Sequence, residues 1–103
     1  MAKSERELRQ LRLMRDRLDG FLAGTLGIGE TISDLEGLLG ALEEAPETWR
    51  RAFQDEWGTL EIAYAIALDN GGLNLPDASV PELKDAAEKM LAMVNAETEL
   101  AAG

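Results

Sequence analysis

Trp49, Phe53, Trp57, Leu60, Tyr64 and Ala67 follow one another at intervals of three or four residues. That spacing puts six apolar side chains on one stripe of an α-helix and on no single face of a strand. A stripe so rich in aromatic rings must be buried, so the rest of the chain has to supply surfaces that cover it. Three further segments carry the same period. Leu8, Leu11, Met14, Leu18, Phe21 and Leu22 align in the first, and Ile32, Leu35, Leu39 and Leu42 in the second. Val80, Leu83, Ala87, Met90 and Val94 align in the last. No run alternates with a period of two, and there is no internal repeat.

The residues between these stripes set helices at about residues 4–23, 30–44, 46–68 and 80–100. Ser4 with Glu7 has the spacing of a capping box, as does Ser79 with Glu82, where Pro81 falls in the first turn. Along the first helix, Glu5–Arg9, Arg12–Asp16 and Arg15–Asp19 are spaced for i,i+4 pairing. "GTLGIG" ends that helix, because three glycines in six residues favour a turn. Gly37 and Gly40 weaken the second helix by about 1 kcal/mol each relative to alanine and give a neighbouring helix room to approach. Pro46 in "EEAPE" disfavours helical geometry at Ala45 and is at home in the first turn of the next helix. "DNGG" stops the third helix. Short connections make consecutive helices antiparallel neighbours. The expected fold class is all-α, an up-and-down antiparallel four-helix bundle forming one domain over residues 1–103.

The chemistry open to such a bundle is narrow. The chain has no cysteine and no histidine, which removes disulfides, thiolate zinc ligands and the commonest general base. Carboxylates alone can hold Mg²⁺ or Mn²⁺, and Glu43, Glu44 and Glu47 superficially match the EExxE pattern of all-α nucleotide pyrophosphatases. Pro46 interrupts that pattern at a helix break, so the three acids do not share a face. The one ExxD pair, Glu82–Asp85, lies far along the chain. Glu30 and Asp34 share a face, but an acid in a first turn is ordinary complementation of the helix dipole. Ser4, Ser33 and Ser79 have no base beside them, and "GTLGIG" lacks the spacing, the strand and the lysine of a phosphate loop. The expectation is a protein that is not an enzyme, with no catalytic residue, metal or cofactor.

Charge narrows the choice of partner. The net charge is −10 and uneven: six Lys/Arg stand against four Asp/Glu through Asp19, then four against sixteen from Gly20 onward. An acidic body repels nucleic acid, whose affinity for proteins comes largely from cations that neutralise phosphates, and it steers in a basic protein. The exposed face of the first helix (Arg6, Arg9, Leu13, Arg17) could touch nucleic acid or a membrane. The interleaved acids make it a self-paired solvated face instead, on which Leu13 would suit a dimer contact. The longest apolar stretch near the start, "FLAGTLGIG", is short and broken by glycines, so neither a signal peptide nor a membrane span is expected and the protein should be cytoplasmic.

Within the third helix, Glu61 falls roughly 75° from the centre of the aromatic stripe at 100° per residue. That is a boundary position, from which it could accept a hydrogen bond from Arg15 of the first helix. Ile62 and Ile66 lie opposite the stripe, flanked by Asp55, Thr59 and Asp69. Two readings are open. The helix is packed on both sides, or it presents an apolar spot with an acidic rim, the anatomy of a protein-binding site.

Residues 32–71, "ISDLEGLLGALEEAPETWRRAFQDEWGTLEIAYAIALDNG", resemble small acidic all-α immunity proteins encoded beside bacterial polymorphic or contact-dependent toxins. In these a tryptophan-bearing helix carries a W-x-x-L-E-x-x-Y-A-type run and then an acidic-glycine turn, matched here by Trp57, Leu60, Glu61, Tyr64 and Ala65, then Asp69–Gly71. The resemblance implies a non-enzymatic protein that binds one cognate basic toxin domain, such as a nuclease, and neutralises it in the cytoplasm. It carries over no binding residue, since such families vary at their toxin-contact surfaces.

The expected partner surface comprises acids of the second and third helices (Glu36, Glu43, Glu44, Asp55, Glu56 and Asp69), with Ile62 and Ile66 as apolar anchors. The alternative is a homo-oligomeric helical scaffold or regulatory subunit, in which the same apolar spots meet across a two-fold axis as in a homodimer.

Overall fold

The computed structural model describes residues 4–102, with side chains through residue 100. Four helices run α1 (Glu5–Ala23), α2 (Ile28–Ala41), α3 (Glu47–Asp69) and α4 (Pro81–Ala102), and there is no strand among the described residues. Each helix packs on its neighbours in the ring α1–α2–α3–α4–α1, most extensively α1 on α4 and least α2 on α3. The diagonals α1–α3 and α2–α4 make no close backbone approach. This is the up-and-down bundle, 47 × 24 × 19 Å.

Its core is the set of predicted stripes turned inward. Leu11, Met14, Leu18 and Phe21 of α1 meet Ile32, Leu35 and Leu39 of α2, Phe53 and Leu60 of α3, and Leu83, Ala87, Met90 and Val94 of α4, all buried. Burying each large side chain stabilises the fold by about 1.5–3 kcal/mol relative to leaving it exposed. The aromatic stripe of α3 is fixed at its polar tips as well. Trp49 stacks on Phe53 at 5.3 Å and donates its indole N–H to the Met93 carbonyl, while Trp57 donates to the Ile32 carbonyl at 3.0 Å. Both indoles are only partly buried, and an amphipathic ring packed this way needs such an acceptor.

The helix ends differ from expectation mainly at α2, which starts two residues earlier and ends three earlier than 30–44. Gly24 takes φ +80 as the left-handed cap of α1. Gly27 is the N-cap of α2, and Ile28 is drawn into the core. The early stop at Ala41 has distant causes. Arg50 donates to the carbonyls of Leu39 (3.1 Å), Ala45 (3.2 Å) and Leu42, binding the end of α2 and the following link to α3. Glu7, only 3 % exposed, accepts the N–H groups of Glu43 and Glu44 at 3.0 and 2.9 Å.

Several local expectations are corrected. Ser4 caps α1 by accepting the Glu7 N–H, but the Glu7 carboxylate serves the α2–α3 link rather than closing the capping box, and the Ser4 N–H goes to Glu44. At α4 the Ser79–Glu82 box is replaced by the Asp77 carboxylate accepting the Ser79 N–H at 2.8 Å, and Val80 supplies the first helical carbonyl. Gly37 and Gly40 face open space. The close approach is at Gly29, against Tyr64. The three i,i+4 pairs expected along α1 do not form. Arg6 pairs with Glu43 (2.8 Å), Arg15 with its neighbour Asp16 (3.5 Å) and Arg17 with Asp34 (2.9 Å). Glu61 is exposed, as a boundary residue would be, but Arg15 cannot reach it because α1 and α3 are diagonal. Leu13 is half-buried.

A candidate protein-docking groove

At about 1.5 Å per residue, α3 is some 34 Å long and α2 only about 21 Å. The two are joined at the Leu42–Pro46 link and run antiparallel, so α2 covers α3 only as far as Tyr64, which lies on Gly29. Beyond that point the last turns of α3 depend on α4 and on the connection from Asn70 to Val80 for cover. Gly71 and Gly72 take φ +98 and +69, turning the chain away from the helix axis. Pro76 and the Asp77 turn then carry it into α4. The connection leaves the outer face of α3 uncovered.

The result is a groove of about 690 Å³. One wall is Thr59, Ile62, Ala63, Ile66, Ala67 and Asn70 of α3. Leu73, Asn74 and Pro76 of the connection, with Val80, Glu82 and Leu83 at the start of α4, complete the lining. Ile62 is 62 % exposed, Ile66 57 %, Leu73 90 % and Val80 37 %. Single exposed apolar residues are ordinary, but four that line one hollow form a contiguous patch. Ile62 and Ile66 are more than half exposed, so α3 is not packed on both sides within this chain. Val80, expected on the inward stripe, is also exposed, because it precedes the first helical residue and so falls off the period that Leu83 begins.

The surrounding charge is of one sign. From Ala52 through Leu83 the chain has six acids (Asp55, Glu56, Glu61, Asp69, Asp77, Glu82) and no lysine or arginine. The next cations are turned elsewhere: Lys84 lines the hollow beside Leu22 and Ala78, and Lys89 is paired with Asp85 at 3.0 Å. Asp85 and Glu56 both favour the Lys89 ammonium and raise its pKa. The Ser79 hydroxyl, then its backbone N–H, hold Asp77 below its ordinary value of 3.8. The C-terminus of α3, the negative end of its dipole, has no basic residue in its last turn and carries Asp69 there.

The eight residues named from sequence do not form one patch. Ile62 and Ile66 stand together in the groove, Asp69 follows them at the helix end, and Asp55 lies two turns earlier on the same face. Glu56 is turned toward α4 and Lys89. Glu36 is exposed on α2, diagonal to the α4 wall. Glu43 and Glu44 lie at the opposite end of the bundle, engaged with Arg6 and the Ser4 N–H. Leu73, Asn74, Val80 and Glu82 were missed. The signal that marks them is the absence of any cation over residues 52–83, together with leucines in a Gly/Asn/Pro-rich connection, where nothing buries them. Among the described residues no three acids converge in a way that could hold a metal ion, and no helix is long and apolar enough to cross a membrane. What this site offers is apolar area within an anionic field. Comparisons with protein-family models, curated proteins and solved structures returned no match.

Proposed function

We propose that this chain is a non-enzymatic binding protein of the immunity or antitoxin kind, which docks a cognate basic protein at the α3–α4 groove and neutralises it in the bacterial cytoplasm. One observation carries the reading: Ile62, Ile66, Leu73 and Val80 form an open apolar groove within a stretch of 32 residues that contains acids and no cation. Apolar anchors surrounded by charge are the usual anatomy of a tight interface, with the anchors slowing dissociation and the charge speeding encounter. A toxin that cleaves nucleic acid needs a cationic cleft, and an acidic bundle seated over it competes directly with the phosphate backbone.

The test is capture of the tagged protein from its own host at low and high salt, beside an Ile66→Asp control. The expected result is a stoichiometric basic partner, lost at high salt and on Ile66→Asp, whose own activity stops when the untagged protein is added. Recovery of the protein only as a homodimer or larger assembly overturns the reading in favour of a homo-oligomeric scaffold.

A further inference from the structure

We propose that the groove is a receptor for a cationic amphipathic α-helix of the partner, which lies along the furrow between α3 and α4. The proposal rests on the binding-protein reading above and adds what the partner inserts. The groove's walls are helices, and it offers no strand edge among the described residues. An extended segment laid here would press its backbone N–H and C=O groups against Ile62, Ile66 and Leu73, with only Thr59, Asn70, Asn74 and Glu82 as scattered polar partners. A helix satisfies its own backbone and presents side chains alone. Ile62 and Ile66 stand one turn apart and form a ridge. An incoming helix with apolar residues at i and i+4, or i and i+3, matches that ridge and the facing Val80.

The polar flank of the incoming helix has to be lysine or arginine. Glu82 lines the groove, Asp69 follows Ile66 at the end of α3, Asp55 and Asp77 lie outside the lining, and residues 52–83 contain no cation. The unneutralised C-terminal end of α3 adds negative potential at the same place. A second copy of this chain is the less suitable occupant, because it would bring two such acidic rims and two net charges of −10 together.

The probe is a fluorescein-labelled helical peptide of leucine and lysine with leucines on one face, titrated into the full chain and followed by anisotropy. A scrambled peptide of the same composition, with its leucines spread around the wheel, is the comparator. The amphipathic peptide should bind about tenfold more tightly than the scramble, and Ile66→Asp should weaken it by about tenfold even though it adds a negative charge. Leu73→Ser, on a side chain 90 % exposed, should act in the same direction. Amide shifts should concentrate at residues 59–83. Equal binding of both peptides, or unchanged or tighter binding to Ile66→Asp, would show diffuse charge attraction and overturn the proposal. So would a homodimer that Ile66→Asp dissociates. If a natural basic partner is captured and neutralised while the peptide fails, the helix-in-groove inference falls and the inhibitor reading stands. If the peptide docks at the groove but no basic partner is neutralised, the groove inference stands and the inhibitor reading falls.

Discussion

Gly29 of α2 lies directly beneath the phenol of Tyr64 on α3: a Cβ at residue 29 would stand 2.8 Å from the hydroxyl oxygen and 3.0 Å from the ring carbon that bears it. The contact lies on the α2–α3 seam, the least extensive helix contact in the bundle. Helix propensity favours alanine over glycine by about 1 kcal/mol. At Gly29 the clash should outweigh that gain, giving net destabilisation of about 1–2 kcal/mol for Gly29→Ala. Gly37→Ala, in open space on the same helix, should instead stabilise by about 0.5–1 kcal/mol. Urea melts of the two variants read the sign directly. Stabilisation by both would show that Tyr64 moves aside freely.

Glu7 joins α1 to a link more than thirty residues away by accepting two backbone N–H groups on one buried carboxylate. Glu7→Ala takes the acceptor from both donors at a part-buried site, which should cost about 1–3 kcal/mol in all. Glu7→Gln keeps one acceptor and turns a donor toward the second N–H, so it should lose about 1–3 kcal/mol despite its equal size. Ser4→Ala removes only the α1 cap, at a cost of about 1 kcal/mol. The order Ala, Gln, then the Ser4 variant, in denaturant midpoints at constant m, is the expected result.

Which parts of this architecture were legible depends on how far each cause lies along the chain. The inward stripes were legible because burial repeats with the helix period, and Leu11, Met14, Phe53, Leu60, Met90 and Val94 fall where that period puts them. The end of α2 was not, because Arg50 and Glu7, distant in sequence, take the groups that would otherwise extend the helix. A helical wheel also cannot say which helices are neighbours. It placed Glu61 at a boundary correctly and gave it a partner, Arg15, on the diagonal helix. The groove was half legible: Ile62 and Ile66 stood out as apolar residues off the stripe. Leu73 and Val80 join them only because the Gly71–Gly72 turn directs the connection past α3.

Asp77 provides a pH-dependent signal at the mouth of α4. Its carboxylate accepts the Ser79 N–H at 2.8 Å, and the Ser79 hydroxyl, followed by that N–H, lowers its pKa below 3.8. A folded-state pKa below the unfolded one means that the carboxylate favours folding above about 3.8, and that this contribution disappears as pH falls through the folded value. Ser79→Ala removes the hydroxyl, so a carboxyl NMR titration should show Asp77 moving back up toward 3.8. An unmoved titration would leave the backbone N–H as the whole cause.

The two sides of α3 should answer oppositely to truncation. Leu60 is fully buried in the core, and Leu60→Ala should cost about 2–5 kcal/mol through lost burial and the cavity left behind. Ile62 and Ile66, only two and six residues further on, are more than half exposed and bury little in the isolated protein. Ile62→Ala and Ile66→Ala should therefore change stability by no more than about 0.5 kcal/mol, and alanine's higher helix propensity offsets part of even that loss. If thermal melts show the isoleucines costing as much as Leu60, the groove is closed in solution by some contact of the chain with itself or with a second copy. If they cost almost nothing, these side chains stand at the surface without benefit to the isolated fold, as the proposed docking groove requires.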